Sequence, residues 1–187
     1  MYININNEMI EQAEKESMKR DPYIKHHFSV QHLSEKDRDI IGFLGEFAAC
    51  EMLKINWKDN IRENYLTIDS GDGEINNMIF DVKTETIPDP YFSLVINRTI
   101  RDNDLYGRRL IHKGQIQLLA KYNIVIFGTF KRNDYKKWFP IGWQYTDYIC
   151  SNYKPTRYRP DGGFYPFSAM PIKTSELFDI NKLRKET

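Results

Sequence analysis

Two neighbouring asparagines, Asn76-Asn77, stand in the middle of GDGEINNMIFDVKT, Gly71 to Thr84, flanked by strand-forming residues. Asparagine tolerates positive φ, which the tightest hairpin turns require at both central positions. A two-residue turn fixes the register of the strands it joins. Counting outward, Ile75 faces Met78 and Asp72 faces Asp81. Side chains alternate along a strand, so Met78, Phe80 and Val82 share one face while Ile79, Asp81 and Lys83 share the other. The first set reads as core. The second places two carboxylates at a Cβ separation of about 4.5–5.5 Å, with a lysine one step along.

The rest of the chain frames this hairpin. Asn6 to Arg20 reads as a polar, peripheral helix ending near Asp21-Pro22, because a proline disfavours helical geometry in the residue before it. Ser34 and Asp37 have capping-box spacing ahead of Ile40, Ile41, Phe43, Leu44, Phe47, Ala48 and Leu53, an apolar surface at helical period. In that helix Gly42, Gly45 and Ala49 admit a close neighbour, and Glu46 lies on the same small-residue side. Extended pieces follow at Asn64–Ile68, Gly71–Ile75, Met78–Glu85 and, after Pro88-Asp89-Pro90, Phe92–Asn97. Leu105 to Lys121 suggests a second helix weakened by Gly107 and Gly114. Asn123–Phe130 and Lys137–Trp143 read as strands joined by the polar turn Lys131–Tyr135, Asn152–Phe167 as a loop, and Leu177–Leu183 as a short helical piece. A chain of 187 residues with elements this short is expected to be one domain of α/β (α+β mixed) class. Its parts would be a peripheral segment 1–33, a core 34–143, and a C-terminal loop and short helix 144–187.

Composition narrows the setting. With 41% hydrophobic and 28% charged residues, and no stretch near the roughly 20 apolar residues of a membrane span, a cytoplasmic protein with no membrane partner is expected. Cys50 and Cys150 are too few and too far apart for a disulfide framework. His26, His27 and His32 lack the spacing of a zinc site.

Two carboxylates placed opposite each other repel. A divalent cation compensates best: one or two carboxylates plus water suit Mg²⁺, which leaves positions for a phosphate. Lys83 adds a second positive charge. That combination fits phosphodiester hydrolysis, in which a metal activates water and neutralises charge on the phosphate oxygens.

Asp72, then Asp81-Val82-Lys83 on the next strand, preceded by a helix carrying Gly45-Glu46, resembles the PD-(D/E)xK nuclease superfamily over roughly Ser34 to Phe130. The resemblance implies a restriction-endonuclease-like core: a helix, a three-strand meander, a helix and a strand pair around a mixed sheet. It implies that Asp72, Asp81 and the Val82 carbonyl ligate Mg²⁺ or Mn²⁺, that Lys83 orients the attacking water or stabilises charge, and that Glu46 matches the helix acid many members add to the metal shell. Gly71 stands where the nominal proline would be. Asp69 and Glu74 compete with Asp72 as the first acid, and Glu74 has the same parity as Asp72. The tripeptide recurs at Asp134-Tyr135-Lys136, without a partner acid.

The window Arg98 to Lys137 holds ten Lys or Arg against three Asp, an excess hidden by a net charge of only +1. Arg98, Arg101, Arg108, Arg109 and Lys113 are the candidate phosphate contacts, and His112 or Gln115 could approach from the second helix. The expected substrate is DNA, with RNA as the alternative, and cutting both strands of a duplex would call for a homodimer. The competing readings are a nucleic-acid-binding module that does not cut, and an interaction subunit. In YKPTRYRPDGGFYPF arginines alternate with aromatics, a pattern that suits base stacking or simple packing on the core.

Overall fold

The computed structural model describes residues 1–20, 33–61 and 71–184. The strand expected at Asn64–Ile68, the competing acid Asp69, and His26, His27 and His32 lie outside them. In chain order β1 (Ile3–Asn4) leads into α1 (Asn7–Arg20) and α2 (Glu35–Met52); β2 (Gly73–Ile75) and β3 (Met78–Ile87) form the hairpin. Then come α3 (Asp89–Ile96), β4 (Arg108–His112), α4 (Ile116–Leu119), β5 (Ile124–Lys131), β6 (Asp134–Tyr145), α5 (Thr146–Asn152), β7 (Thr156–Tyr158), β8 (Phe164–Lys173) and α6 (Ile180–Arg184).

The hairpin forms as its turn dictates. Asn76 and Asn77 have φ of 51° and 59°, and Ile75 pairs with Met78, Glu74 with Ile79 and Gly73 with Phe80. β3 then lies parallel to β5, and the five-stranded sheet runs β1-β6-β5-β3-β2 with every other pairing antiparallel. β5 is buried from Ile124 to Phe130, the continuous apolar run expected of a strand covered on both faces.

That sheet separates two cores. Phe80 and Val82 of β3 and Ile124 and Ile126 of β5 join Phe43, Phe47 and Trp57 on the α2 side. Ile87, Val125 and Phe127 join Val95, Ile111, Met170 and Ile172 on the other. The Ser34 hydroxyl caps α2 by accepting from the Asp37 N–H at 3.1 Å. Met9 and Ala13 of α1 are buried in the first core, so the N-terminal segment is more than peripheral, and the C-terminal segment supplies Ile149, Tyr153, Met170 and Ile172 to the second.

Three expectations are corrected. Phe92–Ile96 belongs to α3, with Asn97 at its C-cap, and not to a strand: Pro88 stands at the N-cap position without a capping bond and Pro90 sits in the first turn, where a missing N–H costs nothing. Leu105–Lys121 is not a second helix but β4, a 3₁₀ turn and the single turn α4. At Gly107 a Cβ would stand 2.2 Å from the Arg101 carbonyl oxygen, and RRLIH alternates as a strand beside β8. The tail expected as loop, Asn152–Phe167, forms β7 and the start of β8, part of a second, antiparallel sheet of order β4-β8-β7. No helix among the described residues is long and apolar enough to cross a membrane.

Candidate active site

The ladder between β2 and β3 ends at Gly73, and Asp72 replaces it with its side chain. The Asp72 N–H donates to the Phe80 carbonyl at 2.9 Å, and its carboxylate Oδ2 accepts from the Val82 N–H at 2.7 Å. Gly71, at φ 101°, makes the bend: a Cβ there would lie 2.4 Å from Ile79 Cγ2. The Cys50 thiol of α2 donates to the Asp72 carbonyl at 3.5 Å. Asp72 and Asp81 are 4% and 5% exposed, and two buried acids at one end of a hairpin call for a compensating charge.

Lys83 supplies part of it. Its Nζ lies 2.9 Å and 2.8 Å from the two Asp81 carboxylate oxygens. Burial by itself would lower the Lys83 pKa, but Asp81 beside it, reinforced by Asp72 and Glu46, holds it above the ordinary lysine value. The group is therefore an ammonium at neutral pH, a donor and a charge rather than a base.

Glu46 reaches this region because α2 touches β3 without a side chain between them. A Cβ on Gly45 would stand 1.8 Å from Thr84 Oγ1, and Thr84 is itself held by the Trp138 indole N–H at 3.2 Å. Half-buried Glu46 helps raise the pKa of both Lys83 and Cys50 through its charge, as Asp72 does. Gly42, expected to share this role, has nothing within 4 Å. Glu74 is exposed on β2.

Among the described residues no group of three or more His, Cys, Asp or Glu gathers closely enough to hold a metal ion. The acids on offer are Asp72, held by the Val82 N–H, and Asp81, held by Lys83, with Glu46 acting on the same lysine through its charge. This set fits a hydrated Mg²⁺ or Mn²⁺, which takes one or two carboxylates and keeps its waters, and not a closed protein cage. Asp72 and Asp81 would hold such an ion, with the Val82 carbonyl and Glu46 as further oxygen donors.

The expected phosphate contacts are placed differently. Arg109 is 1% exposed on β4 and pairs with Glu85 of β3 while also donating to the Tyr106 carbonyl. Burial pulls its pKa down to about 9, which leaves it charged. Arg98 donates to the Thr174 and Leu177 carbonyls. Arg108 donates to the Asp102 and Pro171 carbonyls at 3.1 and 3.4 Å and to Asn103 Oδ1 at 3.2 Å. These three spend their donors inside the protein because their segment is strand and packed loop, not an exposed helix. Arg101, paired with Asp104 at 3.1 Å, and Lys113 are exposed. His112 is buried at the end of β4, where its Nδ1 accepts from the Gly114 N–H at 3.1 Å. The second tripeptide, Asp134-Tyr135-Lys136, opens β6 with its acid and lysine exposed.

Glu85 and Arg109 form the contact that sequence reasoning did not find. Glu85 shares the parity of Asp81 and Lys83, which was the available signal; the partner on β4 required knowing that β4 is a strand. No protein-family model, no curated protein and no solved structure matches the chain.

Proposed function

We propose that this protein is a metal-dependent nuclease with a restriction-endonuclease-like core, cleaving phosphodiester bonds of DNA. The observation that carries the reading is the buried pair Asp72 and Asp81 beside the Lys83 ammonium. Like charges gathered at one strand edge are unfavourable unless positive charge stands among them, and the Lys83 ammonium on Asp81 supports that reading. The α2, hairpin and β5 arrangement, with an acid on the helix and a lysine two residues after the second acid, supports the same assignment.

When bound, the metal would supply activation of a water and neutralisation of charge on the phosphate. Each residue has a task of its own. The Val82 N–H fixes one oxygen of Asp72 and so limits the directions the other can take. Asp81 holds the Lys83 Nζ, which in turn donates to negative oxygen developing at the phosphate or orients the attacking water. Gly45 sets how close Glu46 comes.

The test uses supercoiled, linear and single-stranded DNA and RNA with Mg²⁺ or Mn²⁺, beside EDTA controls and Lys83→Ala. Wild type should cut, chelation should abolish cutting, and Lys83→Ala should reduce it about 10²–10³-fold, the range for losing one transition-state donor. Equal cutting by wild type and variant would refute the assignment.

A further inference from the structure

β7 and β8 continue as a two-stranded arm beyond the reach of β4. β4 reaches only to Ala169 of β8, so from Phe164 to Ser168 the strand has β7 as its neighbour among the described residues. The tip of the arm is built. The Arg159 N–H donates to the Gly163 carbonyl at 2.9 Å, the Arg159 Nε donates to Asp161 at 2.9 Å, and the Gly163 N–H donates to Asp161 Oδ1 at 3.1 Å.

The two faces of the arm differ. On one, Tyr165 is buried and the Phe167 ring meets His112 edge-on at 5.2 Å. On the other, Tyr158 and Phe164 lean on each other with centroids 5.4 Å apart, yet are 72% and 62% exposed, the most exposed large apolar side chains among the described residues. With Pro155, Thr156, Arg157 and Ser168 they line an open groove of about 650 Å³. Rings this exposed add little to folding. The local charge says what they meet: Arg157 and Lys154 are exposed, and Asp161, the one acid between Tyr153 and Lys173, is already taken by Arg159. Flat aromatic faces beside exposed cations match a strand whose bases stack while its phosphates are held, a match that tolerates any sequence.

We propose that the β7–β8 arm binds unpaired nucleic acid, with bases stacking on Tyr158 and Phe164 and phosphates meeting Arg157 and Lys154. The proposal rests on the nuclease reading for its purpose, feeding a strand to the acids, but the contact itself is measured without cleavage. The probe is a fluorescently labelled oligo-dT titrated with the full chain in EDTA. Tyr158→Ala and Phe164→Ala should each weaken binding about tenfold, within the range for losing one stacked base. Tyr158→Phe should bind as wild type does, because the ring face is kept. Arg157→Gln should flatten the dependence of log K on log salt by about 0.7, one phosphate contact to a single strand.

An arm that docks a protein would give no oligo-dT binding, or binding that none of these substitutions changes, and either result overturns the proposal. So does an equal loss of affinity for a duplex of the same length. Binding through the arm with no cutting under any metal would sink the nuclease reading and leave the arm standing. Cutting by wild type, with unchanged binding in both alanine variants, would do the reverse.

Discussion

Two glycines on α2 offer a matched pair of substitutions with opposite expected signs. A methyl group on Gly45 would lie 1.8 Å from Thr84 Oγ1, 2.7 Å from Thr84 Cβ and 3.1 Å from Thr84 Cγ2. Rotating Thr84 moves the hydroxyl but not its Cβ, which is fixed to β3, so the helix and strand must separate. Gly42 lies one turn earlier with nothing within 4 Å. Both changes to alanine gain helix propensity of about 1 kcal/mol. Gly45→Ala alone incurs overpacking of about 1–3 kcal/mol, at the upper end because backbone must move. Gly42→Ala should therefore raise stability by up to about 1 kcal/mol, and Gly45→Ala should fall below it by about 2–3 kcal/mol. Urea denaturation followed by circular dichroism reads the gap as a difference in midpoint at constant m. Equal midpoints would mean that α2 does not press on β3 at this point, and the nearness of Glu46 to Lys83 would lose its support.

Asp72→Ala removes the acceptor of the buried Val82 N–H and should cost about 1–3 kcal/mol; Asp72→Asn keeps an acceptor oxygen, so it should unfold near wild type in urea while abolishing cleavage. Glu85→Ala strands the buried Arg109 charge and should cost about 3–5 kcal/mol, with Glu85→Ala/Arg109→Met less damaging than the sum of the single changes in a denaturation cycle. The Cys50 thiol is pushed up from 9.0 to about 12 by burial, with Asp72 and Glu46 adding to it. Its protonated form is favoured in the fold, so its contribution to stability is full below pH 9.0 and declines as pH rises from there toward about 12. Cys50→Ala should flatten the alkaline limb of a stability–pH profile, and at pH 8 a thiol reagent should label Cys150 well before Cys50.

The hairpin was legible because it is local: Asn76-Asn77 determined the turn, the turn determined the pairing, and alternation determined the faces. Glu46 was legible through Gly45, a small residue where helix meets strand. The second sheet was not, since β4 and β8 pair across some sixty positions of chain (Ile111 with Met170) and β4 has no short-range strand partner among the described residues to announce it. That non-local pairing also turned the arginines inward, so a basic window in the chain did not become a basic face. Nor did the pattern reveal that the Asp72 carboxylate would stand in for a strand neighbour at Val82, because the end of a ladder depends on where the preceding chain turns away.

β3 serves two masters on alternate residues: Phe80 and Val82 belong to the α2 core, whereas Asp81 and Lys83 carry the paired charges. Exchanging a largely buried ion pair for apolar side chains of similar volume is often neutral or even favourable for folding. Two substitutions at Asp81 and Lys83 should therefore remove the proposed chemistry and leave the architecture of the sheet in place.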